Sequence, residues 1–296
     1  MPDAFWRFVA ALSVSASAVV APATALAAPP STSGCATALS PAENDDIARL
    51  SDTGTLAGGD ELALLDDAVS RDHRITQILE EHADRRGAFA TGLDVVEQQA
   101  VMPLQHDPRN FADPEYAHRI SFDLLRRFLD NVHAEFSGGT AEPHWANYFA
   151  LAADCAASPG RIAMAGYDAH LVVDLPRAVA EAGSTPDNAG DYFKIVATIA
   201  GTGDVITERT DGIYHADIGP LWRFYFFGEG LDQVLGKGVA TKPLLVAADL
   251  GANVTIFANG LALQNPALTQ VTAAEIELEH QTAERAFDIM AQLDGI

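Results

Sequence analysis

The chain has 296 residues, and its 41 acidic side chains against 18 basic ones give a formal net charge of −23. So large an acidic excess leaves no run of Lys and Arg able to follow a phosphate backbone, which argues against nucleic acid as a partner. It argues equally against docking on an anionic membrane surface, while the length is enough for one domain with a full core.

Arg7 precedes an apolar run from Phe8 to Val20, which leads into small residues ending in Ala25-Leu26-Ala27. This is the layout of a cleavable secretory signal over residues 1–27. The run is too short and too rich in Ser, Ala and Pro to span a bilayer. The expected location is therefore secreted or in the cell envelope, with no integral membrane span in the mature chain. The two cysteines, Cys35 and Cys155, read as one disulfide in an oxidising compartment. Lipidation at Cys35 is the competing reading, but Thr32-Ser33-Gly34 lacks the aliphatic residue that modification needs.

Residues 28–57 are rich in Pro, Ser, Thr, Gly and Asp and read as a flexible tether anchored by Cys35, with residues 58–296 as a single helical domain. From Glu61 onward, Leu62, Leu65 and Val69, then Ile75, Ile78, Leu79 and His82, recur at helical spacing. The clearest helix runs from Pro114 to Phe136, with Phe122, Leu125, Leu129, Val132 and Phe136 in one stripe. His118 falls within that stripe, and Gly138-Gly139 ends the helix. A second helix starts at Pro143 and carries Trp145, Tyr148, Phe149 and Ala152 to Cys155. A third spans Arg161 to Val173 before Pro176 interrupts it.

A helix over Asp191–Ile199 and a Gly-rich connection to Gly219 follow, and then Trp222, Phe224, Tyr225, Phe226 and Phe227 form a strand or a helix. Between Pro243 and Leu263 only Asp249 is charged, but Asn253, Thr255 and Asn259 favour a buried core helix over a membrane span. Thr272-Ala273-Ala274-Glu275 reads as a capping box opening a last helix to Leu293. Together these elements make an all-α fold, a mainly helical, irregular bundle.

Among chemical motifs there is no Gly-x-Ser-x-Gly elbow, no His-Glu-x-x-His and no zinc-spaced Cys pair. The Gly230–Gly238 string has the wrong spacing for a phosphate loop, with Gly238 where Ser or Thr is needed. What remains is central. His170 and Asp174 are four apart, so on an uninterrupted helix they share a face and can share a cation. Gly166 and Ala163 lie on the side of His170 and admit a close neighbour. His144 begins its helix just after Pro143. Structural readings compete at each position. Asp174, just before Leu175-Pro176, suits a helix N-cap, and His118 suits a hydrogen-bonded core histidine. Asp168, out of phase with His170, suits solvent or Arg161, and His280 a surface or core role.

Asn110-Phe111-Ala112-Asp113-Pro114, the Phe122–Phe136 helix, Trp145, Ala165-Gly166-Tyr167-Asp168-Ala169-His170-Leu171 and Asp174-Leu175-Pro176 resemble the actinobacterial domain of unknown function 5995 family. That family shows Asn-Ala-His-Ile followed by Asp-Leu-Pro; here Asp168 replaces the Asn and Leu171 the Ile. Asp191, Lys194 and Val196 resemble its next polar segment more weakly. The resemblance spans roughly residues 70–205 and implies a mainly helical fold but no reaction.

Two functions fit. One is a metal-dependent hydrolase of envelope or extracellular material acting on a small-molecule substrate. Its ligands to a divalent metal such as zinc would be His144, His170, Asp174 and Asp191, with an activated water as nucleophile. The other is a non-catalytic envelope or secreted structural protein whose central His and Asp organise the core.

Overall fold

The computed structural model describes Cys35, residues 37–216, Ile218 and residues 241–292, with backbone alone over 241–251. The expected secretory signal and the aromatic run from Trp222 to Phe227 lie outside the described residues. Among the described residues every regular element is helical, as the spacing predicts, and no helix is long and apolar enough to cross a membrane.

Part of the stretch read as a tether is a packed helix, α1 (Pro41–Leu50). Ser40 and Glu43 cap its start reciprocally: the Ser40 hydroxyl accepts from the Glu43 N–H, and the Glu43 carboxylate from the Ser40 N–H at 2.7 Å. With the start fixed, Leu39, the fully buried Ile47 and the partly buried Leu50 dock it on the core. It lies on α2 (Glu61–Glu81), whose Leu65, Val69, Ile75, Ile78 and Leu79 face the core. His82, at the end of α2, reaches the Glu43 carboxylate at 2.9 Å and ties the two helices together.

Next come α3 (Ala90–Val96), a π-helical turn (Glu97–Val101) and the short α4 (Met102–Gln105). The spine is α5 (Pro114–Ser137). Asp113 caps it by accepting from the Tyr116 N–H at 3.0 Å, and Gly138 ends it at φ 75°, a conformation that glycine adopts without strain. At 1.5 Å per residue α5 is about 36 Å long, enough to pass through two cores. Tyr116, Ala117 and Ile120 enter the smaller core with Val179, Tyr192 and Phe257. Leu125, Phe128, Leu129 and Val132 enter the larger one with Phe89, Trp145 and Tyr148.

The remaining elements are α6 (Pro143–Ala153), α7 (Pro159–Asp168), a second π-helical turn (Ala169–Asp174), α8 (Leu175–Glu181), α9 (Ala189–Ala200), α10 (Gly203–Tyr214), α11 (Thr241–Leu263) and α12 (Thr269–Gln292). Three expectations change. Pro176 does not interrupt the chain's helical course. The Gly-rich connection contains α10. The last helix starts at Thr269, so Thr272 is buried within its first turn and does not cap it. Cys35 and Cys155 form a disulfide with their Cα atoms 5.4 Å apart.

Candidate metal centre

Where α7 gives way to α8, the backbone widens so that the Leu175 N–H donates to the His170 carbonyl, five residues back. This π-helical spacing moves the Val172 carbonyl, four residues before Pro176, out of the path of the proline ring. The helix therefore continues, and Asp174 turns toward α6.

Asp174 has no exposed surface. Its Oδ2 accepts from the Trp145 indole N–H at 2.7 Å, and its Oδ1 lies 3.1 Å from His144 Nε2. It caps nothing, because its backbone is already helical and its side chain accepts no bond from α8. Burial, the strongest influence, works to raise its pKa. Hydrogen bonds from His144 and Trp145, with the charges of His144 and His170, outweigh burial and hold the carboxyl below the usual range.

Glu142, immediately before Pro143, completes a trio. Its Oε2 lies 3.7 Å from His144 Nε2 and also accepts from Arg177. One ligand atom from each of Glu142, His144 and Asp174 lies within 4.8 Å of the others. Ligands at about 2.0–2.2 Å from a tetrahedral zinc stand roughly 3.3–3.6 Å apart. The 3.1 and 3.7 Å contacts to His144 bracket that spacing.

His170 adjoins the trio without joining it. Its ring stands 5.1 Å from that of Phe89, and its Nδ1 is sealed from solvent with no hydrogen-bond partner. Burial pushes the imidazole down to about 4, against the opposing charge of Asp174. At neutral pH it is uncharged, the form that binds metals. Asp191 stands apart. Its two oxygens accept from the backbone N–H groups of Ala112 and Asp113 at 2.9 and 2.7 Å, which fixes α9 to the entry of α5. His118 is a half-buried histidine whose Nε2 bonds the Gln105 carbonyl at 3.2 Å.

A second trio escapes sequence reasoning. Asp168 meets neither solvent nor Arg161 directly. It is buried against α12, where its Oδ2 accepts from His280 Nδ1. Burial, first among its influences, raises the Asp168 pKa despite that bond; for His280, the bond and charge of Asp168 overcome burial and raise the pKa. Glu284, one turn along α12 from His280, accepts at Oε2 from Arg161 and from Asn147 Nδ2, both at 2.6 Å. Ligand atoms of Asp168, His280 and Glu284 again fall within 4.8 Å of one another. The rings of His144 and His280 meet edge to face with centroids 6.3 Å apart, so the two trios are neighbours. The signal for the second trio was the four-residue spacing of His280 and Glu284, the same rule that picks out His170 and Asp174.

Fold and site together define an all-helical protein whose core holds paired histidine and carboxylate groups. The chain matches the family of unknown function DUF5995 over residues 65–237, more than half of its length, and belongs to that family. The matched span includes Glu142, His144, Asp168, His170 and Asp174, while His280 and Glu284 lie beyond it. No curated protein and no solved structure matches the chain.

Proposed function

We propose that this protein is an exported, metal-dependent hydrolase of envelope or extracellular material, in which Glu142, His144 and Asp174 hold a divalent cation such as zinc. The observation that carries this reading is the trio itself: an imidazole and two carboxylates converge within 4.8 Å. A bound cation would supply a water acidified to about pKa 7 as nucleophile. Arg177 and Trp145 each hold one oxygen of a carboxylate, at Glu142 and Asp174, and so orient the groups that face the cation. Glu142, whose side chain is 45% exposed, is the edge from which water and substrate approach. The signal-like amino terminus and the disulfide support work outside the cytoplasm.

A second reading, a non-catalytic envelope protein, draws on the same donors: carboxylates already satisfied by Arg177 and Trp145 can organise a core without metal. Elemental analysis of protein purified without chelator separates the two. The hydrolase reading expects bound divalent metal that is reduced in His144→Ala and unchanged in His118→Ala. A metal content near zero in the wild type favours the non-catalytic reading.

A further inference from the structure

Beyond the first trio, we infer that the centre is built for two cations, the second held by Asp168, His280 and Glu284; this rests on the reading of Glu142, His144 and Asp174 as a cation site. The two trios have the same composition, one imidazole and two carboxylates, and each gathers its ligand atoms within 4.8 Å. They face each other through the His144 and His280 rings.

Each trio is also dressed alike. Arg177 takes one oxygen of Glu142, and Arg161 and Asn147 both take Oε2 of Glu284. Arg161 approaches Glu284 Oε1 only at 3.4 Å, which leaves that oxygen the freer of the two. Arg161 is itself fixed, by Asp288 at 2.8 Å, so it orients the carboxylate as a donor outside the metal's own ligands does. Two carboxylates outnumber Arg177 at the first trio, and Asp168, Glu284 and Asp288 outnumber Arg161 at the second, so each holds negative charge that a dication would offset.

One buried polar atom beside the first trio also lacks a partner. The π-helical turn joining Asp168 to Asp174 carries His170 Nδ1, buried and without a partner. Buried polar atoms are rarely left unsatisfied, and this one lies on the segment that feeds both trios. The consequence for the fold is that α12, beyond the family match, supplies two of the six ligands, His280 and Glu284.

The test is zinc stoichiometry of the full-length chain, stripped with chelator and reloaded, measured by elemental analysis and by titration calorimetry. Two zinc ions per wild-type chain are expected, falling to one in Glu284→Gln and in His280→Ala, with far-ultraviolet circular dichroism unchanged in Glu284→Gln. One ion per wild-type chain, retained in both variants, would overturn the second site and leave the first standing. No bound zinc would overturn both. Two ions retained in both variants would overturn the assignment to α12.

Discussion

Asp72, Asp94 and Glu97 are buried where α2, α3 and the first π-helical turn meet, and they do not share their surroundings equally. Asp94 accepts from Arg209 at 2.8 Å and contacts His73 Nδ1 at 2.7 Å. Asp72 has no partner on either oxygen, and Glu97 has none on Oε2. Burial, then the charge of Asp94, pushes Glu97 up to about 8, and burial, with help from Asp94 and Glu97, raises Asp72 well above the usual carboxylate range. Glu97 therefore keeps its proton in the folded chain at neutral pH. An unfolded Glu97 gives its proton up near 4.5. Between that pH and about 8 the folded state binds the extra proton, so stability is highest at the acid end and falls as pH rises through this window. Glu97→Gln removes the titration. At pH 8 the variant should exceed the wild type by on the order of 4 kcal/mol, and its melting temperature should fall less between pH 5 and pH 8. Parallel melting curves across that range would show that Glu97 ionises freely in the fold. Such partners are invisible locally. His170 and Asp174 stand out in the sequence because they are four apart, whereas Asp168 and its partner His280 are 112 residues apart. Periodicity names the face of a helix, but it does not say which helix will cover it.

Helix packing at the centre depends on two glycines. A Cβ on Gly166 would come within 2.4 Å of the Phe89 Cβ, and one on Gly92 within 1.9 Å of the Tyr167 hydroxyl, so α3 and α7 approach too closely for any larger residue. Phe89 is wedged among the rings of Phe128, Trp145, Tyr167 and His170 and cannot step aside cheaply. Gly166→Ala should cost roughly 1–3 kcal/mol by overpacking. Gly190, in the first turn of α9, faces open space. Gly190→Ala should instead gain up to about 1 kcal/mol from helix propensity. Urea denaturation of the two variants should give shifts of opposite sign; a neutral Gly166→Ala would refute the close approach. The small residue beside His170 was legible from sequence, and so were the ends of α5, because Asp113, Pro114 and Gly138 act within one turn. Pro176 misled, since a proline breaks a regular α-helix and the wider π turn that accommodates it leaves no pattern in the residues. The first π turn precedes Pro103 in the same way, with the Met102 N–H reaching the Glu97 carbonyl. The α10 helix was hidden because Gly201, Gly203 and Gly212 read as loop and its core face, Ile206, Thr210, Ile213 and Tyr214, is short and broken by a polar residue, with ion pairs from Arg209 to Asp94 and Glu80 adding support.

Across the whole molecule, α5 joins two cores and the disulfide joins the amino-terminal segment to the end of α6, a sequence separation of 120. Closing so long a loop removes unfolded-state entropy worth about 5 kcal/mol at most. From the sequence, that bond is the one anchor of a loose tether, and its loss would free the tether first. The fold gives the segment other holds. Leu39 and Ile47 lie in the larger core, His82 bonds Glu43, and Thr53 donates to the Asp130 carboxylate on α5. Arg85 adds a further stitch at the bond itself, donating to the Asp154 carbonyl at 2.8 Å. Residues 39–53 should therefore unfold with the core and not before it. A Cys35→Ser, Cys155→Ser double variant, which leaves no stray thiol, should still unfold in one cooperative step, displaced toward lower denaturant by up to about 5 kcal/mol. Limited proteolysis locates the loss: cleavage between Leu39 and Thr53 should appear in the variant only at denaturant concentrations where far-ultraviolet circular dichroism also falls. Cutting there in buffer alone, with the helical signal intact, would mean that α1 is held by the disulfide and not by its own contacts.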